Sequence, residues 1–321
     1  MECSFVGCSI FLNSKMIPSL KLQVLTILIL CSVSKAYAQQ SQIFKEKKLL
    51  LTLSGGYQYE NLDWSFAGNI EGRDPNVYSE LIWKDLKGAV ISGRVTWSFW
   101  KNFLADGFFS RSFITAGTAT DTDYAEDNRT NQTFFAALDA DKGSNTNAGV
   151  SLGFVFRFKR IYLIPFAGYG FTKQNLYLLD HDRDQTGVGT PLNSTYKPVW
   201  KGAILKLESG YDISKKISLK SELQYHQLDY EAKADWNLID AFAHPVSFRH
   251  TANGFRAELL GGLSYKITPY LSALASAKYS HAVTGKGLDI LYLADGDTRT
   301  TRLNGVNNSG TAIQIGLVLG L

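Results

Sequence analysis

Carboxylates and histidines in the polar stretches of this 321-residue chain are the side chains that could carry chemistry. Asp121 and Asp123 flank Thr122, and His244 follows Asp240 by four residues in a later stretch. A histidine held by a carboxylate can take a proton from water, and further carboxylates can position that water. Asp and Thr are also common at loop entrances, because they accept hydrogen bonds from backbone N–H groups in turns. The sequence leaves both interpretations of the Asp pair open.

Another histidine, His181, lies in the acidic run 180–184, which has the residue types of a metal site. A metal ion needs several converging ligands, and no second ligand set accompanies this run. A solvated loop tip is therefore the favoured interpretation, and no metal or other cofactor is expected. His226 lies in an alternating stretch and is expected to be a hydrogen-bonded structural residue.

The elements that must position these residues are β-strands. About ten stretches alternate apolar and polar residues with a period of two, most plainly at 217–226, 255–267 and 313–321. Segments of this kind are typical of outer-membrane strands, which present one face to lipid and the other to the barrel lumen. No run of about 18 apolar residues competes as a membrane-spanning helix.

The connectors between these stretches alternate between short and long. Four are tight turns with polar or proline signals, at 100–102, 159–160, 214–216 and 268–270. Five are long and polar, at 61–75, 119–145, 179–199, 233–252 and 290–309. Because outer-membrane barrels have short periplasmic turns and long extracellular loops, the sequence predicts an all-β fold, a transmembrane antiparallel β-barrel of about ten strands. A soluble β-sandwich is the alternative, which this asymmetry disfavours.

Aromatic residues are frequent near the ends of the predicted strands. They are Tyr57, Tyr59, Tyr169, Phe171, Tyr211, Tyr265, Tyr270 and Tyr279. Such residues form girdles where a barrel meets the lipid headgroups, although each of them could also be a packed core residue.

The first 38 residues have the organisation of a secretory signal peptide. Lys21 precedes an apolar run at 22–31, and Ala36-Tyr37-Ala38 offers a small-x-small cleavage site. The apolar run is too short to cross a bilayer as a helix. The sequence therefore predicts a signal peptide at 1–38.

One outer-membrane barrel domain is predicted at 39–321, with no second domain. Met16 offers an alternative start, and Cys31 raises the alternative of a lipoprotein, which the bulky Leu30 before it disfavours. All three cysteines precede the predicted cleavage site, so neither disulfides nor thiolate chemistry are expected in the mature chain. The chain has 33 basic and 29 acidic residues without a basic, aromatic-rich patch, so no nucleic-acid partner is expected.

If odd-numbered residues of the later strands face lipid, the lumen receives charged side chains of both signs. They are Lys206, Glu208, Lys220, Glu222, Arg256, Glu258 and Lys278. A ten-stranded barrel is only slightly wider than the eight-stranded kind that side chains fill, whereas porins have about 16 to 18 strands. We therefore expect these charges to pair and plug the lumen, which disfavours a diffusion porin.

Two segments at the predicted extracellular end carry a family resemblance. The first, 73–84, reads Arg-Asp-Pro-Asn-Val-Tyr-Ser-Glu-Leu-Ile-Trp-Lys, and the second, 117–124, ends in Asp-Thr-Asp-Tyr. A Ser-x-Leu-x-Trp-Lys strand followed by Asp-x-Asp-aromatic resembles the omptins, which are ten-stranded outer-membrane proteases. The Arg-Asp-Pro-Asn start and the continuation Glu-Asp-Asn-Arg at 126–129 are more closely similar to the Protochlamydia-type outer-membrane protein family.

The omptin resemblance implies a catalytic site at the barrel rim that cleaves peptides between basic residues. In omptins an Asp pair faces an Asp-x-His pair, and Asp121 and Asp123 would supply the first of these. The Asp-x-His is absent at the end of the seventh predicted strand, and Asp240 and His244 are the nearest candidates. These four residues form the hypothetical catalytic set.

The sequence therefore predicts an integral barrel of the bacterial outer membrane with loops exposed at the cell surface. Binding of a peptide or surface ligand by these loops, or a structural role without catalysis, is the first function that it predicts. The alternatives are an omptin-type endopeptidase and a narrow channel. Outer-membrane lipid is the remaining partner, with lipopolysaccharide as a candidate.

Overall fold

A computed structural model describes residues 48–181 and 190–321, and in this part the chain forms a closed antiparallel β-barrel. The strands are β1 (Leu49–Phe66), β2 (Ser79–Trp100), β3 (Phe103–Ile114), β4 (Ala116–Glu126), β5 (Thr130–Asp139), β6 (Gly143–Phe154), β7 (Phe156–Arg157), β8 (Ile161–Leu179), β9 (Asn193–Asp212), β10 (Ile217–Asp235), β11 (Phe248–Lys266), β12 (Leu271–Thr284), β13 (Gly287–Tyr292) and β14 (Thr298–Gly320). The predicted signal peptide at 1–38 lies outside the described residues.

These segments make ten barrel strands over the described residues, as the sequence predicts. β3 with β4, β5 with β6, and β12 with β13 follow each other along three of the ten strands, and the short β7 follows β6. β1 closes the barrel because it pairs with β2 on one side and with β14 on the other. In the part of the chain that the structure covers, no helix is long and apolar enough to cross a membrane.

The four short turns are confirmed, but the long connectors contain fewer residues than the sequence predicts. The sequence predicts one loop at 119–145, yet most of this stretch forms β4 and β5, joined by a tight turn at Asp127–Arg129. The connectors predicted at 61–75, 233–252 and 290–309 shrink to 67–78, 236–247 and 293–297, whereas residues 182–189 of the connector predicted at 179–199 lie outside the described residues. The reason is that strand ends above the bilayer have water on their outer face, so they lose the apolar half of the alternation while keeping their backbone pairing.

The outer face of the barrel divides into an apolar belt and a polar upper part. Leu53, Leu205 and Ile315 are each more than 60% exposed, as lipid-facing residues are. Tyr57 and Phe113 are exposed at the upper edge of this belt, and further along β8, β9 and β10 the outward residues are the exposed Lys173, Lys201 and Asp229. β4 and β5 follow Phe113 in the chain and therefore stand outside the bilayer.

Charged side chains fill the middle of the lumen, and we call the following set the charged cluster. It consists of Arg94, Asp106, Lys206, Glu208, Lys220 and Glu222. Arg94 approaches the carboxylates of Asp106, Glu208 and Glu222 at 2.6, 2.7 and 2.7 Å. The expected pairing of lumen charges is thus confirmed.

Sequence reasoning missed Arg94 and Asp106, although a signal for Arg94 exists. It lies on β2 between the outward-facing residues Ile91, Val95 and Trp97, so the alternation of that strand already assigns Arg94 to the lumen. Which carboxylates it meets could not be read, because Glu208 and Glu222 lie on strands distant in sequence.

Candidate functional site

The predicted Asp pair lies on the inner face of β4 at the extracellular end of the barrel. Asp121 stands opposite Leu81 of β2, and Asp123 stands opposite Ser79. Residues directly opposite each other on antiparallel strands have side chains on the same face of the sheet. Since Leu81 is fully buried, both carboxylates point inward.

A bulge in β2 brings β4 to this position. The pairing shifts register between Lys84 and Lys87, and Asp85 adopts a left-handed backbone conformation with φ of 58°. The Asp85 N–H donates to Oδ1 of Asn61 at 2.9 Å, which holds the bulge. Below it β2 pairs with β3 and above it with β4, so the bulge turns the upper half of the wall toward the rim.

The two carboxylates are poorly compensated. Burial and, to a smaller extent, the neighbouring charge of Asp123 together raise the pKa of Asp121 to about 7. Burial also raises the pKa of Asp123, against the opposing effect of a hydrogen bond from Ser79. Among the described residues, neither carboxylate has a basic side chain within ion-pair distance. The pair can therefore accept a proton or a cation near neutral pH.

The histidine of the hypothetical catalytic set lies elsewhere. His244 Nδ1 is 2.6 Å from Oδ1 of Asp235, and this hydrogen bond raises the pKa of His244, with a smaller contribution from the charge of Asp240. The two chain neighbours of Asp235 face the interior, since Ala234 is buried there and Trp236 packs on Phe248. Because successive side chains of a strand alternate between its two faces, Asp235 points outward. The structure thus pairs His244 with Asp235 rather than with Asp240.

The inner face of the wall at the end of β10 is chemically inert. Ala232 and Ala234 occupy the last inward positions of this strand, and both are buried. No contact joins His244 or Asp240 to the Asp pair within the described ranges 48–181 and 190–321. The structure therefore brings Asp121 and Asp123 together but does not bring the other two residues to them.

A second histidine–carboxylate pair lies inside the barrel and escaped sequence reasoning. His250 of β11 is fully buried, and its Nε2 lies 3.1 Å from Oδ1 of Asp289 of β13. Its Nδ1 is 2.8 Å from the hydroxyl of Tyr196, which in turn lies 2.6 Å from the hydroxyl of Tyr230. His250 falls in a stretch expected to be a loop, and nothing in the local sequence couples it to Asp289.

Aromatic rings fill the space across the barrel at this level. We call Trp64, Trp83, Tyr196 and Phe248 the aromatic layer. The ring centre of Tyr196 on β9 lies 5.8 Å from that of Trp64 on β1 and 5.2 Å from that of Trp83 on β2. The ring centres of Trp64 and Phe248 are 5.9 Å apart. The rings of Trp64 and His250 are nearly perpendicular, with their centres 4.9 Å apart. The aromatic layer joins the side of the barrel formed by β1 and β2 to the side formed by β9 and β11, and it fills the position of a cleft between them.

The acidic stretch around His181 shows no metal site in the described part of the chain. His181 Nδ1 lies 3.1 Å from Oδ1 of Asp139, and its side chain is largely exposed. Residues 182–184 of this stretch are outside the described residues. His226 is buried in the lumen, and its Nε2 lies 3.1 Å from Oε1 of Gln224, so the residue is hydrogen-bonded as the sequence predicts.

Comparison with known proteins adds a family and a fold. A family model described as Protochlamydia outer membrane protein matches residues 52–321. The chain is similar to the outer membrane protease OmpT of Escherichia coli, with a TM-score of 0.66 and 11% identity over 89% of this chain and 99% of that chain. It is also similar to OprG from Pseudomonas aeruginosa, with a TM-score of 0.38 and 11% identity over 86% and 98% of the two chains.

A further similarity is to the translocator domain of the autotransporter NalP from Neisseria meningitidis, with a TM-score of 0.34 and 12% identity over 94% and 96% of the two chains. A comparison with curated protein sequences finds no match. At 11% identity the similarity to OmpT shows the fold alone, an outer-membrane β-barrel.

Proposed function

The chain belongs to the Protochlamydia outer membrane protein family, and from its rim geometry we propose that this bacterial outer-membrane barrel binds a basic polypeptide at the cell surface without cleaving it. The observation that carries this proposal is the pair Asp121 and Asp123, which lies outside the bilayer on the inner face of β4 and has no basic side chain within ion-pair distance among the described residues. Two carboxylates without a cationic partner favour a ligand that supplies the missing charge.

The surroundings of the pair suit a lysine or arginine side chain. Phe134 of β5 stands opposite Asp123, so its ring shares the face of the carboxylates, and it is 48% exposed. Basic side chains have apolar stems as well as charged heads, and an aromatic ring beside a carboxylate contacts both parts. A basic segment of a polypeptide therefore fits this rim better than a simple inorganic cation.

Two features weigh against hydrolysis and conduction. Hydrolysis would require a general base facing the Asp pair, but the end of β10 has Ala232 and Ala234, and His244 pairs with Asp235 on the outside. His250 inside the barrel is fully buried against Trp64 and Tyr196, and no contact joins it to the pair among the described residues. Conduction would require a continuous hydrated path, but the charged cluster and the aromatic layer both cross the lumen. We expect planar-bilayer recordings of the barrel to show no steady conductance.

Omptin-type proteolysis is the second candidate. The observation in its favour is the pKa of Asp121, about 7, which suits a group that exchanges protons near neutral pH. It would use Asp121, Asp123, Asp240 and His244, and it would require the 236–247 loop to move His244 to the inner side of the rim.

We expect a fluorescent peptide with a dibasic centre to bind the refolded barrel, in detergent with lipopolysaccharide, and to remain intact. Fluorescence anisotropy measures the binding and mass spectrometry detects cleavage. The double variant Asp121→Asn, Asp123→Asn should bind about tenfold more weakly, because charge-assisted contacts are lost. Binding by the unchanged protein should strengthen between about pH 6 and pH 8, as Asp121 loses its proton.

The matched control is Asp229→Asn, which removes an exposed carboxylate from the outer face of β10. This variant should bind like the unchanged protein. Cleavage that disappears in both Asp123→Ala and His244→Ala would replace the proposal with the protease. Absence of both binding and cleavage from a correctly folded barrel would refute it.

A further inference from the structure

Among the described residues, one edge of β5 is unpaired along most of its length. β5 pairs with β4 from Asp139 to Thr130, but in the described part of the chain its other side meets β8 only where Asp139 stands opposite Leu179. The next strand along the chain, β6, takes over the pairing with β8 from Gly143. Within the described residues, the upper part of β5 is therefore an open sheet edge.

The hydrogen-bond pattern identifies the backbone groups that face this edge. Ala140 N–H donates to the carbonyl of Gly117 at 3.0 Å, so this pair exchanges backbone bonds across β4 and β5. Bonded and non-bonded pairs alternate along an antiparallel ladder, and the register is regular here. Ala136 therefore bonds toward β4, whereas Ala137 and Phe135 direct their N–H and C=O groups to the open edge.

Side chains do not protect this edge. Exposed edges are usually guarded by proline, lysine or other charged residues, because they pair readily with other chains. Residues 130–138 contain no proline and no charged residue. Phe134 and Phe135 are 48% and 55% exposed, and the strand stands outside the bilayer. An unguarded, uncharged edge of this kind favours strand addition.

The charge of the β4–β5 hairpin indicates which kind of partner would add to the open edge. Residues 116–139 contain five acidic residues and a single basic one, Arg129, which is bound to the carboxylate of Glu80. A second copy of the chain would bring two such acidic hairpins together, and their like charges would repel each other. A basic partner is attracted instead.

We propose that an extended basic segment of a partner polypeptide adds to the barrel as a strand along the open edge of β5. This inference rests on the proposed binding function and specifies its mode, in which main-chain hydrogen bonds to Ala137 and Phe135 hold the segment. Its basic side chains then reach the acidic residues of the hairpin.

The experiment uses a ten-residue peptide of alternating lysine and valine, matching the length of β5, and a form of it N-methylated at every central residue. Both carry the same charge, but the methylated form cannot donate main-chain hydrogen bonds. Binding to the refolded full barrel is measured by fluorescence anisotropy. We expect the methylated peptide to bind about tenfold more weakly or worse, since several backbone bonds are lost.

The matched protein variants are Ala137→Pro and Ala137→Val. Proline removes an N–H that faces the open edge and breaks no bond to β4, and edge strands tolerate proline in this orientation. Valine keeps the N–H and is a good strand former. We expect the proline variant to lose about tenfold in affinity for the unmethylated peptide and the valine variant to bind like the unchanged protein.

The outcomes separate this inference from the proposed function. If Asp121→Asn, Asp123→Asn weakens binding while N-methylation and Ala137→Pro do not, the edge inference is overturned and the rim-binding function stands. If no basic peptide binds at all, both are refuted. If Ala137→Pro instead abolishes self-association seen by sedimentation, the occupant is a second copy of the chain. Should Ala137→Pro fail to fold, the methylated peptide on the unchanged barrel decides.

Discussion

Replacing Arg94 with methionine is expected to lower the free energy of unfolding by about 3–5 kcal/mol, the usual cost of removing one partner from a buried ion pair. Arg94 contacts three carboxylates on three other strands, and the side chains of Asp106, Glu208 and Glu222 are at most 5% exposed. Methionine would fill much of the space but would leave these carboxylates with Lys206 and Lys220 alone in the charged cluster. Urea titration followed by tryptophan fluorescence measures the loss.

Arg94→Lys is the matched control, because it keeps the positive charge without the planar fork that reaches three partners. It should fall between the methionine variant and the unchanged barrel. Adding Glu222→Gln to Arg94→Met should recover part of the loss, since one uncompensated carboxylate is then removed. A methionine variant within about 0.5 kcal/mol of the unchanged protein would show that the cluster contributes little to stability.

Replacing Trp64 with alanine is expected to cost about 3–5 kcal/mol and to open the extracellular end of the barrel. The indole is buried against Tyr196, Phe248 and His250 in the aromatic layer. Its removal leaves a cavity beside His250, through which water and small reagents can enter. Chemical modification of histidines by diethyl pyrocarbonate, mapped by mass spectrometry, should find His250 protected in the unchanged protein and modified in the variant.

Trp64→Phe is the control for this experiment. The indole N–H of Trp64 has no hydrogen-bond partner among the described residues, so phenylalanine gives up ring volume but no bond. We expect it to cost less than about 1.5 kcal/mol and to keep His250 protected. His244 is half-exposed and should react in every variant, which verifies the reagent. Modification of His250 in the unchanged barrel would contradict a sealed aromatic layer.

Within the bilayer, the fold could be predicted because lipid constrains every second residue. Leu53, Leu205 and Ile315 are outward as the alternation requires, and Lys206 and Glu208 are inward. The short turns were also readable, since proline and polar residues interrupt the pattern there. Above the bilayer the constraint ends, and the strands β4 and β5 were therefore mistaken for a loop.

The candidate site, like the fold, could be predicted from the sequence only in part. Asp121 and Asp123 could be predicted as a pair, because two residues at a spacing of two on a strand share a face. The partner of His244 could not, since Asp235 and Asp240 are both near in sequence and only the loop geometry chooses Asp235. His250 and Asp289 meet through the pairing of β11 with β13, which no local pattern reports.

The sequence by itself determined the barrel, the faces of its membrane strands and the presence of an acidic pair at the rim, because each of these depends on the local spacing of residues. Only the tertiary structure decided which charges meet around Arg94, which rings close the lumen and which edge of β5 is open. These depend on the register between strands that are distant in the chain, and register is set by the closure of the whole barrel.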